Sequence, residues 1–417
     1  MKTCYIIGGG LSGLTAANAL KDKFNKTIVI EKHNDIGGLC QTYQIDGINY
    51  EFGPHVLYSK TVEQSAFWGR LITPKYIDYH VRCCIDGQLK SYDELFDFPI
   101  SKRNISRLGE SYIPQEPDYS NFENYMISQI GKASYETFVK NYNIKQWGIH
   151  PKDMLADWAK FRPLSLKPDN PRMFGDVWAG HPGSYRPVFD KLSQDLEIVT
   201  DTKVSGLGID NNVIKCIYFN NNNNKISISP NDVVINTLPI DLFFEEKLDW
   251  RGSLKVFALL DTCPAMPTYS TTFPNNYSWT RIVEYPHHSG QENTNGKTLI
   301  SFAIPYSINE PLQNDYMQEI HDFVIHQIHA KVIKTVKKHE DFCYPISSQQ
   351  NIDTLEKILN KASNINNFYS IGRLGLFAYI SMTRAIQIAL ELSNNIDKLS
   401  SPADKMTFFK KLREELW

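Results

Sequence analysis

Tyr5-Ile6-Ile7-Gly8-Gly9-Gly10-Leu11-Ser12-Gly13-Leu14 is the stretch that decides the fold. Tyr5 to Ile7 is a short apolar strand, and Gly8, Gly10 and Gly13 stand at the spacing G-x-G-x-x-G. The first glycine permits a tight turn. The second lets the backbone approach a pyrophosphate, and the third lets a helix pack on the strand. The helix expected from Leu14 to Leu20 and a little beyond aims its N-terminal N–H groups at those phosphates. Thr27-Ile28-Val29-Ile30 reads as a second buried strand closed by Glu31. A carboxylate there accepts hydrogen bonds from both hydroxyls of an adenosine ribose. Strand, helix, strand and acid follow in order within about 30 residues, which separates a dinucleotide site from a mere glycine-rich turn.

Two further stretches favour FAD over NAD. His33-Asn34-Asp35-Ile36-Gly37-Gly38 adds two glycines after the second strand, and Tyr50-Glu51-Phe52-Gly53-Pro54-His55 ends in a Gly-x-His turn. Both look like loops that flavoproteins of the amine-oxidase and glutathione-reductase type run past their cofactor. The cofactor set read from this region is Gly8, Gly10, Ser12, Gly13, Glu31, Lys32, Gly38, Leu39 and His55, the last beside the isoalloxazine.

The chain has 417 residues, 42% of them hydrophobic and 22% charged, enough for two or three packed units of a soluble globular protein. A formal charge of −2 gives no bulk attraction to nucleic acid or to acidic membranes. No apolar run approaches the ~20 residues that cross a bilayer. The first residues read as fold rather than as a secretory signal. The seven cysteines are scattered apart from Cys83-Cys84, with no zinc spacing, so no metal is expected. Reduced thiols and a cytoplasmic location follow. The 22 Tyr, 22 Phe and 7 Trp suit core packing, a ring-stacking cleft, or both.

Further along, Val81 to Ile85 and Leu89 to Tyr92 read as a hairpin turning at Asp86-Gly87. Residues 100–160 look helical, with helices opening at Asn121 and running from Ala133 to Tyr142. Arg162 to Arg172 reads as a mobile surface loop. Tyr185 to Leu192 fits a helix, Glu197 to Thr200 a strand, and the Asn220–Asn224 run a hairpin tip. Val233 to Pro239 reads as an apolar strand, and Phe368 to Arg373 as a last buried strand running into a glycine turn. Residues 250–345 alternate as antiparallel strands, with a helix from Tyr316 to Lys334. A last helix runs from Ser381 to Ser393. The fold class is therefore α/β: a Rossmann-like FAD-binding domain with an inserted helical domain and an antiparallel β-sheet domain. The expected boundaries are 1–75, 186–245 and 346–400 for the FAD domain and 95–180 for the helical substrate domain. Residues 76–94 and 246–345 form the sheet domain, and 401–417 a C-terminal tail.

Four later segments resemble the UDP-galactopyranose mutase family. Tyr142-Asn143-Ile144-Lys145-Gln146-Trp147-Gly148 is similar to its tyrosine-x-x-lysine-glutamine-tryptophan-glycine motif. Trp279-Thr280-Arg281-Ile282-Val283-Glu284 is similar to its aromatic-threonine-arginine-isoleucine-x-glutamate strand. Tyr344-Pro345 matches its tyrosine-proline strand, and Gly372-Arg373-Leu374-Gly375 with Tyr379 its C-terminal turn. In that family reduced flavin works without net redox: its N5 attacks the anomeric carbon, UDP leaves, and the resulting N5–sugar adduct lets a pyranose re-close as a furanose. The resemblance thus implies an isomerase acting on a UDP-linked sugar for capsule or lipopolysaccharide synthesis. It also implies reduced FAD, NADPH or NADH as reductant, and a homodimer.

Site residues carry over position by position. Phe138 and Tyr142, four apart on a helix, fall where the family grips uracil, and Trp147 where a tryptophan packs near the sugar. Arg281 falls at a diphosphate-binding arginine, a role that suits a guanidinium fork. Tyr344 and Tyr379 fall at tyrosines whose hydroxyls reach the diphosphate. Arg373, Tyr379 and Met382 join the flavin set. The catalytic set is His55, Arg281 and Arg162, the last standing for a mobile-loop arginine whose strict register falls on Phe161. The chain also departs from the pattern: Tyr58 replaces a second histidine, Ser381 an aspartate, and a loop tyrosine falls near Arg172. These changes fit a different sugar, a different nucleotide or a different reaction. The competing readings are an FAD-dependent oxidoreductase of the amine-oxidase or desaturase type and a non-catalytic flavin-binding paralogue.

Overall fold

Thr3–Ile7 is the central strand of a five-stranded parallel sheet, with Lys26–Ile30 and then Glu197–Val199 on one side. Val233–Asn236 and then Phe368–Ser370 lie on the other. The structure, a computed structural model, describes residues 2–59, 61–98, 100–109, 111–156, 178–220, 224–292, 294–308, 310, 312 and 315–414. It divides into two units: Met1–Thr42, Tyr185–Asp249 and Gln350–Trp417 form the first, Tyr43–Ser184 and Trp250–Gln349 the second. The class is α/β with an antiparallel sheet, as the sequence implies.

In the first unit the apolar run Val233–Asn236 is buried at every position, as parallel strands covered on both faces require. Strand order runs outward from Thr3–Ile7 to one side through Lys26–Ile30 and resumes on its other side at Val233–Asn236, the reversal at which open α/β sheets bind ligands beyond the carboxyl ends of their strands. Helix Leu11–Leu20 packs on helix Met382–Asn395, where the Ser393 hydroxyl donates to the Ala19 carbonyl at 3.0 Å. An antiparallel meander, Val204–Asp210, Val213–Phe219 and Asn224–Ser227, precedes the fourth strand. The asparagine run falls at its second turn, where 221–223 lie outside the described residues. Residues 402–414 are not a tail. They form helix Pro402–Glu414, because Phe408, Phe409 and Leu412 recur at helical spacing and bury. The amphipathic helix Gln349–Asn364 was not anticipated either.

The second unit is built on a seven-stranded sheet. Its order is Val332–Pro345, Trp250–Leu260, Thr298–Ser307, Arg281–Glu284, Ser270–Thr272, Val81–Cys83, Phe96–Phe98. All neighbours are antiparallel except Ser270–Thr272 with Val81–Cys83. One face carries an aromatic core in which Trp279 stacks on Tyr277 at 4.4 Å and meets Phe302 and Phe323 edge-on. The partner of Val81–Cys83 is Phe96–Phe98, not Leu89 to Tyr92: Asp86 and Gly87 do turn the chain, but the return strand starts later. The helix from Tyr316 ends at Ile328 because His329 turns left-handed, and Val332 begins a long strand. Trp178–His181, expected within a helical domain, is a strand pairing with Leu57–Ser59 and Lys75–Tyr76.

Residues 43–75, read as cofactor domain, lie in this second unit. Ile45, Ile48 and Tyr50 of the hairpin Thr42–Ile45/Ile48–Glu51 bury against Phe257, Leu259, Val283 and Leu299 of the large sheet and against Tyr285, which follows one of its strands. No helix among the described residues is long and apolar enough to cross a membrane, and all seven cysteines are free.

Candidate functional site

The fingerprint turn is shaped by what cannot fit. A Cβ on Gly13 would lie 2.0 Å from the Gly8 carbonyl oxygen, so helix and strand touch there only through glycine. Gly8 is left-handed at φ +106°, and a Cβ on it would meet Thr237 Oγ1 at 2.2 Å. Gly10 and Gly38 face each other closely enough that a Cβ on Gly38 would come within 3.1 Å of Gly10 Cα. Helix Leu11–Leu20 starts at Gly10 with no side-chain cap and no acid in its first turn, so its leading N–H groups point outward. Glu31 is buried and oriented: Oε2 accepts from Gly9 N at 2.7 Å and Oε1 from His33 N at 2.9 Å. Each oxygen keeps a lone pair for a ribose hydroxyl. An uncapped helix start, a cradle that a side chain would fill and an oriented carboxylate fit the adenosine diphosphate half of FAD.

The other residues expected at the cofactor, His55 excepted, lie in the same unit. Ser12, in the first turn of that helix, lies so near Gly372 that a Cβ there would sit 2.8 Å from its hydroxyl. Arg373 follows, donating through Nη2 to the Ile380 carbonyl at 2.8 Å and lying 4.6 Å over the Tyr379 ring. Ser381, where the family has aspartate, caps helix Met382–Asn395 by accepting from Arg384 N at 3.1 Å, a role either side chain performs. Met382 opens that helix, with Cys40 Sγ 3.5 Å from its sulfur. Lys32 is exposed, and Leu39 is half-buried in the short turn Gly38–Cys40.

The second unit holds the remaining residues. The loop Glu51 to His55 is clamped at both ends by helix Tyr285–Ser289. The Tyr285 hydroxyl donates to the Glu51 carbonyl at 2.7 Å, and His288 Nε2 donates to the His55 carbonyl at 3.1 Å. Gly183 N donates to His181 Nδ1 at 2.9 Å, which leaves the His181 proton on Nε2, 3.4 Å from Glu51 Oε2. The same carboxylate is 3.9 Å from His55 Nδ1. Burial pushes both His181 and His288 down to about 3, so they are neutral hydrogen-bonding rings. Sequence reading missed this network, whose members are scattered over more than 200 residues.

The family-like motifs converge. Lys132–Ser134, a π-helical stretch Tyr135–Lys140 and Asn141–Trp147 form one continuous helix. Phe138 and Tyr142 both lie against the edge strand, 5.2 Å from Phe96 and 6.1 Å from Phe98 respectively. Phe138 is buried there, and only Tyr142 keeps partial exposure. Lys145 Nζ donates to the carbonyls of Phe273, Asn276 and Trp279 at 2.8–2.9 Å. Burial draws its ammonium down to about 8. Gln146 accepts from Thr280 at 3.1 Å, one residue before Arg281. Trp147 meets Tyr344 edge-on at 5.7 Å.

Arg251, unremarked in the sequence, ties these together. It donates to the carbonyls of Lys145 and Gln146 and to Ser307, so the end of the helix is fixed to the sheet. Its signal was a cation inside an apolar strand, Trp250–Leu260, that is buried throughout. Arg281 sits half-buried on Arg281–Glu284. Arg162 and its register neighbour Phe161 lie outside the described residues, as does Arg172.

The family signature of UDP-galactopyranose mutase matches residues 137–379, and that of an NAD(P)-binding Rossmann-like domain matches 6–71. A probable UDP-galactopyranose mutase of Klebsiella pneumoniae is 22% identical over 97% of this chain and 96% of its own. A dTDP-fucopyranose mutase of Escherichia coli is also 22% identical, over 94% and 97%. The crystal structure of a reduced UDP-galactopyranose mutase superposes with a TM-score of 0.77 at 16% identity, covering all of both chains, a likeness of fold.

Proposed function

The chain belongs to the UDP-galactopyranose mutase family, and on that premise we propose that it is a flavin-dependent isomerase interconverting the pyranose and furanose forms of a nucleotide-diphosphate sugar. Bound in its reduced form, FAD supplies the electron-rich ring nitrogen that lets the anomeric carbon part from the nucleotide without net redox. The chain's own task is to bind and orient. Arg281 holds the diphosphate, with the Tyr344 and Tyr379 hydroxyls donating to it and Arg162 joining from its loop. Trp147 packs against the sugar, Tyr142 takes the base with Phe138 buried behind it, and His55 stands by the flavin. NADH or NADPH is the natural reductant, a homodimer the natural assembly, and surface polysaccharide the natural destination of the furanose.

The observation that carries this reading is the convergence of Trp147, Tyr344 and the Arg281 strand through Arg251 and the Gln146–Thr280 bond. Relatives named for UDP-galactopyranose and for dTDP-fucopyranose are equally similar, so both pairs belong in the test. Dithionite-reduced protein is given UDP-galactose and dTDP-fucose, with oxidised protein as control, and the products are followed by NMR. Conversion to furanose only with reduced protein is expected. No conversion of any nucleotide-sugar by a flavin-loaded protein would move the assignment to substrate oxidation.

A further inference from the structure

Strand Trp250–Leu260 carries a second cation deeper than Arg251. Lys255 is 3% exposed. Among the described residues no acceptor and no carboxylate meets its ammonium, and the group over it is the Phe52 ring, 5.7 Å from Nζ to its centre. A cation on so buried a side chain, with no counter-charge beside it, is unfavourable, so the position suits an anion.

The sheet register shows where that anion fits. Lys255 lies directly opposite Ala303, and Ala303 directly opposite Arg281. Opposed residues share a face, so the two cations flank a single methyl group. Strand spacing sets their backbones about 10 Å apart, and the two long side chains span that gap around a phosphate-sized group. One step along the same face, Ser301 adds a buried hydroxyl.

We propose that Lys255 is the second cation of an anion clamp with Arg281, closing over Ala303 on the diphosphate of the nucleotide-sugar. This rests on the reading of Arg281 as a diphosphate ligand. Burial first, and Arg281 next, push the Lys255 ammonium down to about 7. The titratable groups on this face are Lys338 and Glu340 of the neighbouring strand, Arg281, and Tyr43, Tyr50 and Tyr285, with Cys343 and Glu51, the residue before Phe52, close by. Of these, Arg281 lowers and Cys343 raises the lysine. Lys338 turns instead toward the Tyr43 ring. The charge of an anion between the cations offsets both depressing causes, so binding takes up a proton above neutrality and weakens as pH rises.

The test is calorimetric titration of UDP-galactose, and of dTDP-fucose, into oxidised holoenzyme between pH 6.5 and 8.5. A diphosphate diester keeps its charge over this range. Wild-type affinity should fall by about tenfold across it. Lys255→Met should bind about tenfold to a hundredfold more weakly at pH 6.5, with a flat profile. Lys255→Arg, charged throughout, should bind tightly with a flat profile. Lys255→Met should melt no lower than wild type, since it replaces a buried charge by a hydrophobe. Wild-type affinity and pH profile in Lys255→Met, with binding lost in Arg281→Met, overturn the role of Lys255 and leave that of Arg281. Unchanged binding in both variants, or no binding to wild type, overturns both.

Discussion

Gly148 closes helix Asn141–Trp147 in a left-handed conformation at φ +72°, and a methyl group on it would lie 2.9 Å from Arg251 Nη1 and 3.0 Å from Cζ. Gly148→Ala therefore carries two costs. The left-handed backbone costs an alanine about 1 kcal/mol. The guanidinium must also shift from its acceptors, and losing one hydrogen bond from a charged donor costs about 1.5–3 kcal/mol. Together they place the substitution at about 2.5–4 kcal/mol. Arg251→Met removes the obstruction, so in that background Gly148→Ala should cost only the backbone part. Urea denaturation of wild type, both single variants and the double variant should give a coupling of about 2 kcal/mol. Equal cost of Gly148→Ala in both backgrounds would refute the contact. The same helix end brings Trp147 to Tyr344, so either single variant should also weaken UDP-galactose binding.

Gly13→Ala should yield protein without bound flavin, read as lost visible absorbance, because the added carbon meets backbone 2.0 Å away at Gly8. Acid should destabilise the second unit through His181 and His288. Both are neutral when folded, with values near 3 against 6.5 unfolded. The unfolded chain therefore binds more protons in that window, and stability falls with pH below about 6.5, by about 1.4 kcal/mol per unit for each histidine. His288→Asn, which keeps a donor for the His55 carbonyl, should flatten the urea midpoint between pH 6 and 4.5; an unchanged slope would remove the histidines from the explanation. Ser381→Ala should lower stability by about 1 kcal/mol, while Ser381→Asp should restore the cap and the melting temperature.

The parts legible in the sequence are those whose cause is local. Gly8 to Glu31 encodes its turn, helix and strand within one supersecondary unit, and Asn121 and Ser381 announce their helices by capping them. What was not legible depends on distant partners. The hairpin at Tyr43 to Glu51 alternates as a strand pair should, but the sheet it buries against, containing Phe257 and Val283, lies some 200 residues on. Arg251 finds its acceptors 105 and 106 residues away. Phe138 reads as a partner of Tyr142 at the base, and only the position of Phe96 shows it buried against the sheet edge.

The motifs that mark the family also divide physically into scaffold and presented groups. In Lys145-Gln146-Trp147-Gly148, three residues are consumed internally: Lys145 by three carbonyls, Gln146 by Thr280, Gly148 by the approach of Arg251. In Trp279 to Glu284 the tryptophan is core, and Glu284 accepts from Ala265 N, Met266 N and the Thr298 hydroxyl. Scaffold residues of this kind persist for stability even in a paralogue that has lost its substrate, so their presence argues for fold more than for activity. The discriminating position is Arg281, half-buried on the row that also holds Lys255. In a working mutase Arg281→Met should leave the melting temperature nearly unchanged while abolishing the stabilisation that UDP-galactose or dTDP-fucose gives by binding the native state. In a scaffold-only paralogue neither nucleotide-sugar would raise the melting temperature of wild type, and Arg281→Met would change nothing but the unliganded stability.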